Sequence, residues 1–175
     1  MSEVPLSGQL QIWLGLDVGT RRIGVALSNS LGIAQPLLTI ERTQPRRDQR
    51  SILRLARRHG CAGIVVGNPL YLSGDPSRQT ERVHRFVSEL NALIAESPTL
   101  AGGDDPGAGQ ATLTVSLWDE RLSTAEAHAA LAATGHNPAG RHSRRHLVDQ
   151  VAAALILQGW LDAQSGATNL LPPDS

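Results

Sequence analysis

The feature that most constrains the fold is a pair of alternating apolar segments joined by a short polar turn. Apolar side chains occupy every second position from Ile12 to Leu16 and again from Ile23 to Leu27, with Gly19 in the interval between them. Alternation with a period of two is typical of half-buried β-strands, so these segments predict a hairpin. A chain of 175 residues, 41% of them hydrophobic, is long enough for one well-buried domain and short for two.

Asp17 directly continues the first apolar strand, where an unpaired carboxylate is costly unless a cation or hydrogen-bond donors meet it. One interpretation is a turn residue that accepts hydrogen bonds from the backbone N–H groups of Gly19 and Thr20. The other is a metal ligand at a strand end, with Gly19 allowing a phosphate to approach the backbone and Thr20 offering its hydroxyl. The motif alone leaves both interpretations open.

The rest of the chain alternates between strand and helix patterns. A third apolar run, Ile33–Ile40, contains Pro36 and therefore predicts an edge strand or a bulge. From Pro45 the apolar residues recur at helical spacing, and Gly60 is predicted to end that helix. The remaining predicted elements are a strand buried on both faces at 62–67, a helix after Ser77, a strand at 113–118, a short helix after Ser123 and a buried final helix from Leu147 to about Leu161.

The basic residues are distributed unevenly, although the net charge of the chain is zero. All 16 of them are arginines, a residue that binds phosphate in a fixed two-pronged geometry, and genome base composition accounts for most of this bias. Six arginines surround the apolar stripe of the helix that begins at Pro45, and Asp48 is the only acid among them. That face is either a solvated charged surface or a surface that follows a phosphate backbone.

Cys61 is the only cysteine, which excludes an intramolecular disulfide and a cysteine-based zinc site. No basic segment followed by an apolar run opens the sequence, and no stretch is long enough to cross a bilayer. We therefore expect a cytoplasmic protein without a membrane partner. The expected organisation is a flexible lead-in at 1–11, one domain at 12–162 with a flexible Gly-rich insert at 96–110, and a disordered tail at 163–175.

Further acids also adjoin apolar elements. A late strand ends on Asp119 and Glu120, and Asp149 lies near the predicted start of the final helix, where interaction with the helix dipole would explain it. Three carboxylates that converged would repel one another unless divalent cations lay among them. Hard oxygen ligands of this kind suit Mg²⁺ or Mn²⁺.

Four motifs resemble those of the YqgF family, also called RuvX. They are Asp17–Ala26, Val65–Leu70, Asp119–Thr124 and Asp149–Ala153. The resemblance runs from about Trp13 to Leu161, with the motifs in family order. The chain departs from the family pattern at Asn68, where Leu is frequent in the family, and at Arg144 and Arg145, where Lys is frequent. It also differs in its long Gly-rich insert.

The resemblance implies an RNase H-like fold of the α/β class, a mixed five-stranded sheet with the element order β-β-β-α-β-α-β-α-α. It assigns catalysis and metal binding to Asp17, Glu120 and Asp149, with Asp119 as a candidate fourth ligand. Asp17 is then expected to bridge two Mg²⁺ or Mn²⁺ ions while Glu120 and Asp149 each complete one site. The expected nucleic-acid contacts are Thr20, Arg21, Arg22, Asn68, Arg78, Arg121, Arg144 and Arg145.

The function that follows is a metal-dependent endonuclease acting on structured RNA, in the 5′-end processing of pre-16S rRNA. One alternative is a Holliday junction resolvase acting on branched DNA, and another is a non-catalytic nucleic-acid-binding factor in ribosome assembly or transcription. Asp-x-Gly-Thr also occurs in actin-like ATPases, but those need two facing domains, which 175 residues cannot supply. The small number of apolar residues expected at the surface favours a monomer over a homodimer.

Overall fold

The computed structural model describes residues 10–69, 78–96, 113–119 and 141–168, with the side chains of 145–166 in the last of these segments. Its elements are β1 (Trp13–Val18), β2 (Arg22–Ser28), β3 (Ala34–Glu41), α1 (Pro45–Arg58), β4 (Gly63–Asn68), α2 (Arg78–Glu96), β5 (Thr114–Asp119) and α3 (Arg141–Thr168). These elements follow the predicted order. The short helix predicted after Ser123 lies outside the described residues.

The five strands form one mixed sheet in the order β3-β2-β1-β4-β5. β2 is antiparallel to both β1 and β3, whereas β4 is parallel to β1 and β5 is parallel to β4. The carboxyl ends of β1, β3, β4 and β5 therefore lie at one edge of the sheet, which we call the C-edge. Asp17 lies at this edge near the end of β1, and Asp119 lies there at the end of β5.

β3 is the edge strand that its proline predicts. Pro36 has no N–H to donate to a neighbour, and the register of β2 against β3 shifts between Val25 and Ala26, directly opposite Pro36. β4 lies between two strands, and all six of its residues are buried. Its uninterrupted apolar run is the pattern of a strand covered on both faces.

Helices cover the two faces of the sheet separately. On one face, Leu16 packs in a core with Ile52 of α1 and Phe86 of α2. On the other face, Val65 packs in a second core with Leu157 of α3. Because neighbouring residues of a strand point to opposite faces, alternation from Leu14, Leu16 and Val18 directs Asp17 toward α3.

The final helix is longer and less buried than predicted. It begins at Arg141 instead of Leu147 and continues past Leu161 to Thr168, with the Ser165 hydroxyl donating to the Leu161 carbonyl. The sequence around its ends contains helix-compatible residues, so an apolar pattern alone underestimates its length. Val148 is 53% exposed, which shows that only one side of the helix faces the sheet. No helix in the described part of the chain is both long and apolar enough to span a membrane.

Candidate active site

Asp17 lies in β1 opposite Gly24 of β2, one residue before the strand ends. The turn that follows is closed by its own backbone, since the Gly19 N–H donates to the Arg22 carbonyl at 2.9 Å. The Arg42 guanidinium adds a hydrogen bond from Nη1 to the Gly19 carbonyl at 2.8 Å. The interpretation of Asp17 as a turn residue that accepts from Gly19 is therefore wrong, and its carboxylate accepts no hydrogen bond from the described residues.

Two glycines allow α3 to lie directly on the sheet beside Asp17. A Cβ atom on Gly24 would lie 1.9 Å from the Asp149 carbonyl oxygen, and one on Gly15 would lie 2.6 Å from Leu157 Cβ. Any side chain at either position would push the helix away, because real Cβ contacts do not approach 3.0 Å. Contact with Gly24 therefore brings Asp149 to the level of Asp17. Neither glycine was predicted to have this role.

Asp149 is the ninth residue of α3, which begins at Arg141. The explanation through the helix dipole is therefore wrong, because that interaction is confined to the first turn. Instead, the Asp149 Oδ2 atom accepts a hydrogen bond from Arg22 Nε at 2.6 Å, and the two side chains are 23% and 25% exposed. This hydrogen bond raises the pKa of the Arg22 guanidinium. The predicted phosphate ligand Arg22 is thus engaged with the predicted metal ligand Asp149.

The two acids act on each other electrostatically. Burial, together with a smaller effect of the negative charge of Asp149, raises the pKa of Asp17 from 3.8 to about 6. A desolvated carboxylate that faces a second carboxylate is stabilised by any cation that lies between them. The donor set also fits Mg²⁺ or Mn²⁺, which bind carboxylate oxygens. Asp17 and Asp149 are therefore a suitable pair of ligands for such an ion.

The third predicted acid, Glu120, lies outside the described residues, as does Arg121. Within the described ranges, no group of three or more His, Cys, Asp or Glu side chains could hold a metal ion. Asp119 pairs in register with Asn68, and Val115 of the same strand packs on the α1 and α2 side. Alternation therefore directs Asp119 to the face opposite Asp17, and its role as a ligand stays a prediction that this arrangement disfavours.

The other predicted nucleic-acid contacts are spread around the C-edge. Thr20 and Arg21 are exposed in the turn after Asp17. Asn68 is 8% exposed, and its buried Oδ1 accepts no hydrogen bond from the described residues. Exposed arginines also lie on the two flanking helices, with Arg78 at the start of α2 and Arg145 on α3. The side chain of Arg144 lies outside the described set.

A second set of contacts ties α3 to the edge strand. His146 Nε2 lies 2.9 Å from Glu41 Oε1, and the Thr39 hydroxyl donates to the His146 carbonyl at 2.9 Å. The Gln150 amide donates to the same Thr39 hydroxyl at 3.2 Å. These residues flank Asp149 on the helix and therefore help to fix its position. Sequence reasoning missed them because the partners are more than 100 residues apart.

The sheet order and the acid pair at its C-edge define an α/β protein of the RNase H-like fold. A family model described as "RuvX: Holliday junction resolvase" matches residues 11–163. The chain belongs to the RuvX family, as its motifs predicted. This membership identifies it as a nuclease-family enzyme.

Curated relatives cover nearly the whole chain. A protein of Myxococcus xanthus is 37% identical over 163 residues, which are 93% of this chain and 91% of that protein. A protein of Syntrophus aciditrophicus is 40% identical over 153 residues, which are 87% of this chain and 89% of that one. Both are named "Putative pre-16S rRNA nuclease".

A solved structure of Thermus thermophilus RuvC in complex with a Holliday junction substrate matches at a TM-score of 0.52. The match has 15% identity and covers 90% of this chain and 97% of that chain. At this level of identity the similarity concerns the fold alone. It confirms the α/β architecture with a mixed five-stranded sheet that the sequence predicts.

The raised pKa of Asp17 predicts a pH-dependent stability. The folded state binds this proton more tightly than the unfolded state, so the free energy of unfolding falls as the pH rises from about 4 to about 6. The loss is on the order of 3 kcal/mol from this group. The variant Asp17→Asn lacks the titration and should be the more stable protein at pH 8, with the advantage disappearing toward pH 4.

Urea unfolding in EDTA at pH 4, 6 and 8 measures this difference, with tryptophan fluorescence as the readout. The variant Asp162→Asn changes an exposed acid of α3 and serves as the matched control. It should follow the wild type at each pH. Parallel pH profiles for the wild type and Asp17→Asn would show that Asp17 is well solvated.

Proposed function

We propose that this protein is a divalent-metal-dependent endonuclease that acts in the 5′-end processing of pre-16S rRNA. The observation that carries the proposal is the pairing of the half-buried Asp17 with Asp149 on one face of the sheet, at the C-edge. A site of mutually repelling carboxylates suits a cation, and a cation suits the hydrolysis of a phosphodiester. The names of the curated relatives supply the class of substrate.

Asp17 and Asp149 would hold the metal, with Glu120 as the proposed third ligand. When bound, a pair of divalent cations activates water for attack at phosphorus and stabilises the charge that develops on the leaving oxygen. No described residue donates a hydrogen bond to the Asp17 carboxylate, so both of its oxygens would be available to hold a cation.

Arg22 is proposed to position Asp149. Its Nε holds the Oδ2 oxygen of Asp149, which leaves the second carboxylate oxygen, Oδ1, available to a metal ion. Thr20 and Arg21 are exposed beside Asp17 and are proposed to contact the phosphates next to the scissile bond. The turn that carries them is fixed by the hydrogen bond from Arg42 to Gly19, so these contacts would be preorganised.

A second candidate function is Holliday junction resolution, which the description of the matching family names. A junction offers two symmetry-related strands, so a resolvase that makes paired cuts requires two active sites related by twofold symmetry. The RNA nuclease can act as a monomer. The oligomeric state in the presence of each substrate therefore separates the two candidates, and the monomer stays a prediction.

The proposal is tested by incubating the protein with an RNA that spans the 5′ end of 16S rRNA and, in parallel, with a four-way DNA junction. We expect cleavage of the RNA in Mg²⁺ or Mn²⁺ and none in EDTA. Paired symmetric cuts in the junction alone would support the resolvase. Binding of either nucleic acid without cleavage under any metal condition would contradict the endonuclease and favour a non-catalytic binding factor.

A further inference from the structure

A pocket of about 400 Å³ opens at the C-edge on the side of the sheet covered by α1 and α2. Its basic side chains come from two separate parts of the chain: Arg42 follows β3, whereas Arg82 and Arg85 lie in the first turns of α2. Thr20 and Thr43 add hydroxyl groups to the lining. None of the three arginines was predicted as a nucleic-acid contact.

The acids that line the same pocket are already engaged. Asp48 is 4% exposed and accepts hydrogen bonds from the backbone N–H of Thr43 at 3.2 Å and from its hydroxyl at 3.1 Å. Glu89 accepts a hydrogen bond from the Gln49 amide at 3.1 Å. By contrast, Arg82 and Arg85 form no ion pair with the residues that the structure describes. The Thr43 and Gln49 donors are neutral and leave both carboxylates charged, so three arginines and two acids give the lining a net charge of +1 (three minus two).

The pocket lies close to the candidate active site. Arg42, which lines it, donates to the carbonyl of Gly19, and Gly19 is two residues beyond Asp17. Two residues of extended chain span at most about 7 Å, so the Gly19 backbone that Arg42 contacts lies within about 7 Å of the Asp17 backbone. A single nucleic-acid strand that crossed the C-edge could contact both places.

We propose that this pocket binds a backbone phosphate of the nucleic-acid substrate, next to the phosphate that is cleaved at Asp17 and Asp149. The inference rests on the proposed function for the identity of the ligand as nucleic acid. Guanidinium groups bind phosphate oxygens through paired, charge-assisted hydrogen bonds, and Arg82 and Arg85 are available for this contact. Thr20, three residues after Asp17 in the chain, also lines the pocket, and its hydroxyl adds a donor.

The lining favours a phosphate over a base. Recognition of a base in a single strand uses an accessible aromatic face for stacking. Phe86, the aromatic residue among those that line the pocket, is 2% exposed and belongs to the core with α1. The contact is therefore independent of sequence, and it fixes the register of the strand with respect to the acids.

The test compares two double variants that each remove two positive charges from one helix. R82Q/R85Q removes the arginines of the pocket, whereas R54Q/R58Q removes exposed arginines from the end of α1 that is remote from the C-edge. Binding of a fluorescein-labelled RNA that spans the 5′ end of 16S rRNA is measured in EDTA by fluorescence anisotropy. EDTA prevents metal-dependent cleavage, so the assay reports binding alone.

We expect R82Q/R85Q to bind about tenfold more weakly than the wild type, the effect of losing one charge-assisted contact. For this variant, the slope of the logarithm of the binding constant against the logarithm of salt concentration should be shallower by about 0.7, the value for one phosphate of a single strand. R54Q/R58Q should lose less than about twofold. Equal losses in the two variants would show general charge attraction and would overturn the proposal of a local site.

A methylphosphonate scan locates the phosphate itself. Neutralising the RNA phosphates one at a time should weaken binding by the wild type most at one or two positions, and R82Q/R85Q should lose nothing further there. Additive losses at those positions would overturn the contact. The same RNA incubated with the wild type and Mg²⁺ tests the proposed function separately. An uncleaved RNA with a position-specific binding pattern would overturn the proposed nuclease function but would still support the phosphate site in the pocket.

Discussion

Replacing Asp17 with Asn is expected to lower the rate of RNA cleavage by at least about 1,000-fold, since bound cations contribute several kcal/mol and each 1.36 kcal/mol is a factor of ten. The amide keeps the size of the side chain but lacks the negative charge that would hold a divalent cation. Cleavage is measured by single-turnover kinetics with the labelled RNA in Mg²⁺ and in Mn²⁺.

Asp162→Asn is the control for this experiment, because Asp162 is an exposed acid on α3 that lies outside the candidate site. It should cleave at the wild-type rate. At pH 8 the Tm of Asp17→Asn should be at least as high as that of the wild type. A loss of cleavage would then reflect lost chemistry and not lost structure. Undiminished cleavage by Asp17→Asn would reject its assignment as a catalytic residue.

Gly24→Ala is expected to destabilise the protein by about 3 kcal/mol, the upper end of the usual cost of overpacking. The added Cβ would lie 1.9 Å from the Asp149 carbonyl oxygen and 2.3 Å from its carbon, both of which are helix backbone. Since the backbone cannot rotate away as a flexible side chain can, α3 must shift from β2. We therefore also expect a large loss of cleavage, because the shift displaces Asp149 from Asp17.

Urea unfolding measures the destabilisation, and the matched control is Gly166→Ala. A Cβ at Gly166, which lies near the end of the same helix, would meet nothing within 4 Å. The control should be neutral or stabilising by up to about 1 kcal/mol, because alanine is the better helix former. A Gly24→Ala protein with wild-type stability would contradict the close contact between α3 and the sheet.

The sequence was sufficient to predict the sheet and the position of Asp17. Alternation from Ile12 to Leu16 predicts β1, and the buried run that includes Val65 predicts β4, because side-chain burial repeats along each strand. The edge position of β3 followed from Pro36. These features depend on local patterns, and the structure confirms them.

The arrangement around Asp149 could not be predicted from local patterns. Its partner Arg22 lies 127 residues earlier in the chain, and its backbone approaches Gly24 only because α3 crosses β2 at that point. A glycine within an alternating strand does indicate a close backbone approach, but it does not identify the partner. The sequence likewise gave no indication that Arg42 and Arg85 line one pocket, since separate elements carry them.

The central claim is that Asp17 and Asp149 hold divalent cations for phosphodiester cleavage, together with Glu120. The most direct measurement is anomalous X-ray scattering from crystals soaked in MnCl₂, recorded with the wild type and with Asp17→Asn. We predict a manganese peak about 2.0–2.2 Å from carboxylate oxygens of Asp17 and Asp149 in the wild type, and its loss in the variant. A wild-type crystal in which manganese binds elsewhere and leaves Asp17 without a metal contact would contradict the account.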